Sequence, residues 1–460
     1  MSEHKNHEVT RILAEWIARA GTDERTADAS TLPLPIPASA IRWAQHALLD
    51  WLAVTVAACD EPLVRMLVDE YAGPPGSPAL LVGLGATARV QDAALINGAA
   101  GHALDYDDVA TRMIGHPSVP VIPAALALAQ SANSTGVDLL RALVVGHEIE
   151  SRIGDLIGAD HYRQGFHPTG TIGTLGAAAA CATLRRLDAG RTVHALGLAA
   201  TQAAGLKSMF GTMAKPLHAG KAAMNGLMAV QLAARGFTAG SDAVECFQGF
   251  LRTLSPGQAS FEPTMDTSRG FAIESALFKY HAACYLTHSG IEAVRQLRET
   301  HRLSLQDLES MRISVHANHR GVCDIAEPAS GLALKFSLQQ LAVLALDGAD
   351  TAALDLYQDG IVREPTQVEA RRRVALRFVE ADDTDTATVE LLTRDGRRLV
   401  HAASVAIPAT DLDDQWQRLA RKARAIAQPK LGAERFERMV DAVRTLNTAP
   451  TLDTLCETLR

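Results

Sequence analysis

Over roughly the first 270 residues the apolar side chains recur at helical spacing, and a large share of them are alanine. That pattern predicts helices over 41–58, 90–104, 122–132, 138–158, 170–187 and 225–237. Gly, Ala or Ser often stands where a larger core residue would be expected, so the helix backbones should approach closely. From about residue 310 the texture changes. "MRISVHA" (311–317), "RRVALRFVE" (372–380) and "ATVELLTRDGRRLVHAASVAI" (387–407) alternate apolar and polar positions with β-branched enrichment. The Asp395-Gly396 pair inside the last of these is a hairpin signal. From Asp411 helical spacing returns. The fold class expected is mainly α with a smaller α+β domain. A helical body, 1–275 plus 408–460, is interrupted by an inserted α+β lid, 276–407.

Composition narrows the function classes. Lys+Arg is 44 against 52 Asp+Glu, a net charge of −8, which argues against nucleic acid or an anionic membrane as the main partner. No stretch approaches the ~18 uninterrupted apolar residues of a membrane span. The opening "MSEHKNHEVTRILAEWIARAG" lacks the apolar core of a signal peptide. The six cysteines show no CxxC or other metal spacing, as expected of reduced thiols. A cytoplasmic protein is expected. No GxGxxG, Walker, GxSxG or zinc signature is present.

Ionisable residues gather at one turn, "HALDYDDVATRMIGHPSVP" (102–120). Asp105, Asp107 and Asp108 follow His102, and His116 precedes Pro117, Pro120 and Pro123. One reading is a helix end capped by aspartates, followed by a proline-stiffened loop. The other sets Asp105 against His116, a carboxylate that raises the basicity of an imidazole and fixes its tautomer for proton transfer. A metal site is a third option, disfavoured because the acids are adjacent rather than on one helical face.

Two further stretches resemble this one. "GFHPTGTIGTLGAAAA" (165–180) puts His167 before Pro168 at a helix start, with Thr169 or Thr171 as cap and unpaired N–H groups open to a carboxylate. "GTMAKPLHAGKAAMNG" (211–226) adds Lys215, His218 and Lys221; the proline after Lys215 predicts an extended backbone there. A loop histidine and a solvated lysine are the structural alternatives. "FKYHAACYLTHSG" (278–290) places Lys279, Tyr280, His281, Cys284, Tyr285 and His288 in one apolar segment of the expected lid.

Taken together, "HALDYDD…GHPSVPVIPA", "GFHPTGTIGTLGAA" and "GTMAKPLHAGKAAMNG" resemble the MmgE/PrpD family, whose activities include 2-methylcitrate dehydratase, cis-aconitate decarboxylase and iminodisuccinate epimerase. The resemblance implies a homodimer acting on a small carboxylate without metal or organic cofactor. By motif position it implies a pocket of Asp105, His116, His167, Lys215 and Lys279, with Thr169, His218, Tyr285, Gln340 and Arg320 as substrate-binding candidates. Val109 stands where the decarboxylase pattern has Thr, Gln340 where it supplies a phenol, and Cys284 where it has a histidine. Val and Gln offer neither acid nor base, which argues against decarboxylation of cis-aconitate.

The chemistry common to these reactions is making or breaking a bond beside a carboxylate. It needs a base near working pH and cations or N–H donors for the developing enediolate. His116 or His167 is the expected base, Asp105 its orienter, and the lysines the carboxylate clamps. The leading expectation is a cofactor-independent lyase. A two-base epimerase or isomerase is the alternative, and an inactive carboxylate binder a further one.

Overall fold

A computed structural model describes residues 8–22, 34–257 and 261–460. The polar start of the chain (1–7) lies outside them, as do residues 23–33 and 258–260. The chain forms two compact units, one of residues 1–278 with 411–460 and one of 279–410. The expected boundaries, 275/276 and 407/408, fall slightly before the observed ones. Helices dominate the first unit, and the only long strands among the described residues belong to the second, so the fold is mainly α with a smaller α+β part. No helix of the described residues is long and apolar enough to cross a membrane.

In the first unit the predicted helices form, several of them longer than the sequence pattern alone indicates. They are Ala38–Ala57, Val90–Ala103, Ser118–Ser131, Gly136–Arg163, Pro168–Leu184 and Ala214–Ala234. Pro168–Leu184 is buried along nearly its whole length. That burial explains its lack of a polar stripe, since a helix apolar all round belongs in a core. Small residues do the work expected of them where Val90–Ala103 crosses Ala214–Ala234. A Cβ on Gly98 would stand 2.8 Å from the Gly220 Cα, and one on Gly220 would stand 2.2 Å from the Leu95 carbonyl oxygen. This close crossing brings the end of the first helix to the start of the second.

Two expectations about helix ends need correction, one at a start and one at a stop. Ser118–Ser131 begins before the predicted Ile122 and carries Pro123 in its interior. Proline is tolerated in a helix's first turn and removes one internal donor further along, a loss that the surrounding buried core sustains here. Gly136–Arg163 runs past the predicted end at Gly158, but Gly158 itself is non-helical (φ 69°), so the predicted stop is a kink.

The C-terminal helices Leu412–Leu431, Ala433–Arg444 and Asp453–Thr458 return to the first unit. Leu412–Leu431 packs along Ala38–Ala57, with Gln415 donating to His46 Nδ1 at 2.8 Å and Lys422 to Asp50 Oδ1 at 2.5 Å.

In the second unit, four strands lie in the order Val374–Val379, Leu308–His316, Thr386–Thr393, Arg398–Ser404. The first two pair in parallel and the rest antiparallel. The predicted Asp395-Gly396 turn closes the last hairpin, with Gly396 at φ 88° and its N–H donating to the Thr393 carbonyl. Alternate residues of Thr386–Thr393 are buried, as the period-2 pattern requires. The longest helices of this unit are His288–His301 and Leu338–Asp347, beside the shorter Gly331–Leu334 and Pro365–Arg371.

Candidate active site

The helix Val90–Ala103 ends with His102 in its last turn, and the chain then reverses through Asp105, a non-glycine residue at φ 50°. Aspartate tolerates this left-handed conformation better than most side chains. The reversal sends successive acids in different directions. Asp105 faces solvent, while Asp107 and Asp108 are fully buried.

Asp107 is the centre of the cluster. Its carboxylate accepts the His102 Nδ1 proton at 2.9 and 3.1 Å. Its other flank lies 2.9 Å from His116 Nδ1, close but without the alignment of a hydrogen bond. With its proton held on Nδ1 by the carboxylate, His102 presents a bare Nε2, which has no hydrogen-bond partner among the described residues. His116 Nε2 lies 3.5 Å from Asp105 Oδ1, and its backbone N–H donates to Thr169 Oγ1 at 3.0 Å. Lys215 completes the rim, its ammonium 2.9 Å from Asp105 Oδ1 and 5.3 Å from the Phe210 ring.

The imidazoles form a continuous row. Ring centroids are 4.6 Å apart for His116 and His102, 5.8 Å for His102 and His167, and 5.4 Å for His167 and His218. His167 and His218 also meet Nδ1 to Nδ1 at 3.1 Å, so one of the two must carry the proton. Phe210 closes edge-on against His167 at 5.0 Å.

Burial sets the electrostatics. It lowers His102 to about 4 despite the adjoining carboxylate. It lowers His167 to about 2, reinforced by the neighbouring imidazoles and Lys215. Burial alone would raise Asp107, but His102 and His116 outweigh it and hold the carboxyl well below its usual range. Behind the turn the balance reverses. Asp108, which accepts from the Ser118 hydroxyl at 2.7 Å, is pushed by burial up to about 8. Glu150, whose two oxygens are buried without partners among the described residues, is pushed well above its ordinary value by burial and by Asp108.

These positions revise several expectations. Asp105 does face His116, at 3.5 Å from Nε2, but Asp107 lies closer on the other ring nitrogen, at 2.9 Å, and Asp105 also pairs with Lys215. His167 does not keep an ordinary basicity. Lys215 is not extended but sits in the first turn of Ala214–Ala234, where Pro216 is tolerated. Neither threonine caps Pro168–Leu184. Thr169 accepts from His116, Thr171 donates to the His167 carbonyl, and the Gly170 and Thr171 N–H groups turn back to that same carbonyl. The expected row of open donors is therefore largely spent. His102, Asp107 and Phe210 are the residues that sequence reasoning passed over. A histidine closing a helix five residues before an aspartate was the available signal for the first two.

Being adjacent in sequence does not keep the acids and histidines apart in three dimensions, contrary to the expectation that disfavoured a metal site. Ligand atoms of His102, Asp105, Asp107 and His116 all lie within 4.8 Å of one another. The Lys215 ammonium supplies a positive charge at the Asp105 side of that set.

The remaining candidates belong to the second unit. Lys279 is buried there. The Tyr285 hydroxyl donates to the Val405 carbonyl at 3.2 Å. Arg320 is exposed and lies over the Phe378 ring at 4.4 Å. Gln340 is fully buried, its amide donating to Gln367 and accepting from Arg371. With both ends of its amide engaged, Gln340 reads as a structural residue rather than a substrate ligand.

Models of two protein domains match the chain, the MmgE/PrpD N-terminal domain over residues 29–262 and the MmgE/PrpD C-terminal domain over residues 281–448. Among curated proteins, a cis-aconitate decarboxylase of Aspergillus terreus (strain NIH 2624 / FGSC A1156) is 25% identical over 98% of this chain and 96% of its own. A cis-aconitate decarboxylase-like protein, oryM, of Aspergillus oryzae (strain ATCC 42149 / RIB 40) is 29% identical over 66% of this chain and 65% of its own. The Homo sapiens cis-aconitate decarboxylase is 32% identical over 45% of this chain and 44% of its own.

Proposed function

Because the chain belongs to the MmgE/PrpD family, we propose that it is a lyase working without metal or organic cofactor on a small di- or tricarboxylate. The observation that carries this reading is the buried Asp107 carboxylate shared by two imidazoles, with the Lys215–Asp105 pair at the rim. His116 is the proton-transfer group, since it alone among the four imidazoles has carboxylates beside both ring nitrogens. His167, lowered to about 2, is a poor proton acceptor and serves instead as a neutral hydrogen-bonding wall with His218.

The bond changes follow. In a dehydration, the C–H electron pair becomes the new C=C bond and the proton passes to His116. The hydroxyl then leaves as water with a proton from a site acid. In a decarboxylation, the C–C bond breaks and CO2 departs. The electron pair spreads into the conjugated carboxylate, and His116, carrying a proton from the outset, gives it to carbon. Either route builds negative charge on a carboxylate, which a preorganised ammonium such as Lys215 stabilises. Substrate carboxylate takes the place of Asp105 on that ammonium. Lys279 is proposed as a second carboxylate-binding cation on its motif position alone, and the homodimer is part of the same proposal.

The curated relatives' names put cis-aconitate first among probes, with 2-methylcitrate and epimerisable dicarboxylates beside it. The test is to incubate each with the protein in deuterated water. A lyase gives an unsaturated acid, or CO2 and a product bearing deuterium at the protonated carbon. Deuterium washed into recovered acid with an unchanged skeleton makes the protein an epimerase instead. Binding of these acids without turnover of any overturns both.

A further inference from the structure

The catalytic turn is held from behind by a residue more than three hundred positions downstream. Lys422, on the helix Leu412–Leu431, is 2% exposed. Its ammonium donates to Asp50 Oδ1 at 2.5 Å and to the Tyr106 carbonyl at 2.7 Å, and it lies 4.0 Å from the Tyr106 ring centroid. Tyr106 stands between Asp105 and Asp107, and it is itself buried. Burying an ammonium is costly unless its protons are all directed, so a lysine here is an expensive way merely to fill space. Its hydrogen bond meets the 106–107 peptide at the point where the two acids diverge, Asp105 outward to Lys215 and Asp107 inward to His102 and His116.

We propose that Lys422, braced by Asp50, is a positioning residue for catalysis, holding the Tyr106 carbonyl so that Asp107 meets both imidazoles. The inference rests on the reading of this turn as the catalytic one. Lys422 touches none of the imidazoles in that reading and acts only through the turn. Removing a lysine alone leaves Asp50 buried beside an empty place, so the test pairs Lys422→Met with the double variant Asp50→Leu/Lys422→Met, which replaces the whole ion pair by apolar volume.

The first readout is the downfield proton NMR signal of the His102 ring N–H bound to Asp107, assigned by its loss in Asp107→Asn. We expect that signal to move or vanish in both Lys422 variants, while the double variant still melts cooperatively. With cis-aconitate as probe, kcat should fall at least ~10-fold with KM within about twofold, because the acids are displaced rather than removed. A signal at its wild-type position in the double variant overturns the proposal. If wild-type protein turns over none of the probes, the lyase reading fails, and the NMR signal still decides the role of Lys422.

Discussion

At the scale of single residues, the account depends on which acid serves which base. Asp107 is fully buried and bridges two imidazoles, so Asp107→Asn keeps the shape of the turn but removes the charge that supports protonated His116. Charge-for-amide exchange at such an orienting carboxylate typically costs about 10²–10⁴-fold in kcat. That loss is expected here with a folded, cooperatively melting protein, and steady-state kinetics beside a thermal melt checks it. Asp105→Asn should act differently. It frees the Lys215 ammonium from its partner, so it should alter KM for a carboxylate more than it alters kcat. The sequence made the turn conspicuous without saying which of three clustered aspartates faces the imidazoles. That choice follows from the left-handed backbone at Asp105, which no local pattern specified.

At the scale of elements, the site exists because two helices cross with almost no side-chain padding. Gly220→Ala would push a Cβ to 2.2 Å from the Leu95 carbonyl oxygen and 3.0 Å from the Ala99 nitrogen. Overpacking of this kind costs about 1–3 kcal/mol, and because the partners are backbone atoms the upper part of that range is expected. The same shift would separate His102 from Lys215, so turnover should fall more than stability alone accounts for. Urea denaturation of Gly220→Ala beside its kcat/KM measures both. Unchanged values would mean that the crossing is looser than described. The helices themselves were legible, since alanine-rich 3.6-residue periodicity is a strong signal. Their starts were less so. Proline-based rules placed Lys215 outside a helix and began the Ser118–Ser131 helix too late, because tertiary burial overrides a local preference at a first turn.

At the scale of the whole molecule, the core of the first unit carries acids that burial keeps protonated. Glu150 lies against the helix Pro168–Leu184, where a Cβ on Gly176 would come within 2.7 Å of three of its side-chain atoms. Neither of its oxygens has a partner among the described residues, and it is raised well above its ordinary value, while Asp108 rises to about 8. The sign is that of a group binding its proton more tightly when folded. Stability is greatest below the unfolded values near 4 and declines as pH rises toward the folded ones, by up to about 1.4 kcal/mol per pH unit per group. Glu150→Gln keeps the neutral form at every pH. Its melting temperature relative to wild type should therefore rise between pH 5 and pH 8, and a constant offset would contradict the assignment.

The discontinuous first unit was readable from the change and return of hydrophobic periodicity. That the helix Leu412–Leu431 sets a buried ammonium against the Tyr106 carbonyl was not, because nothing near Lys422 in sequence marks one. The central claim, that His116 moves the proton with Asp107 behind it, is tested most directly by kcat/KM for His116→Gln and His167→Gln on whichever acid the deuterium assay identifies. The account predicts a loss of about 10³-fold or more for His116→Gln, within the range for a general acid or base, and a markedly smaller loss for His167→Gln. Turnover by His116→Gln within a few fold of wild type would contradict it.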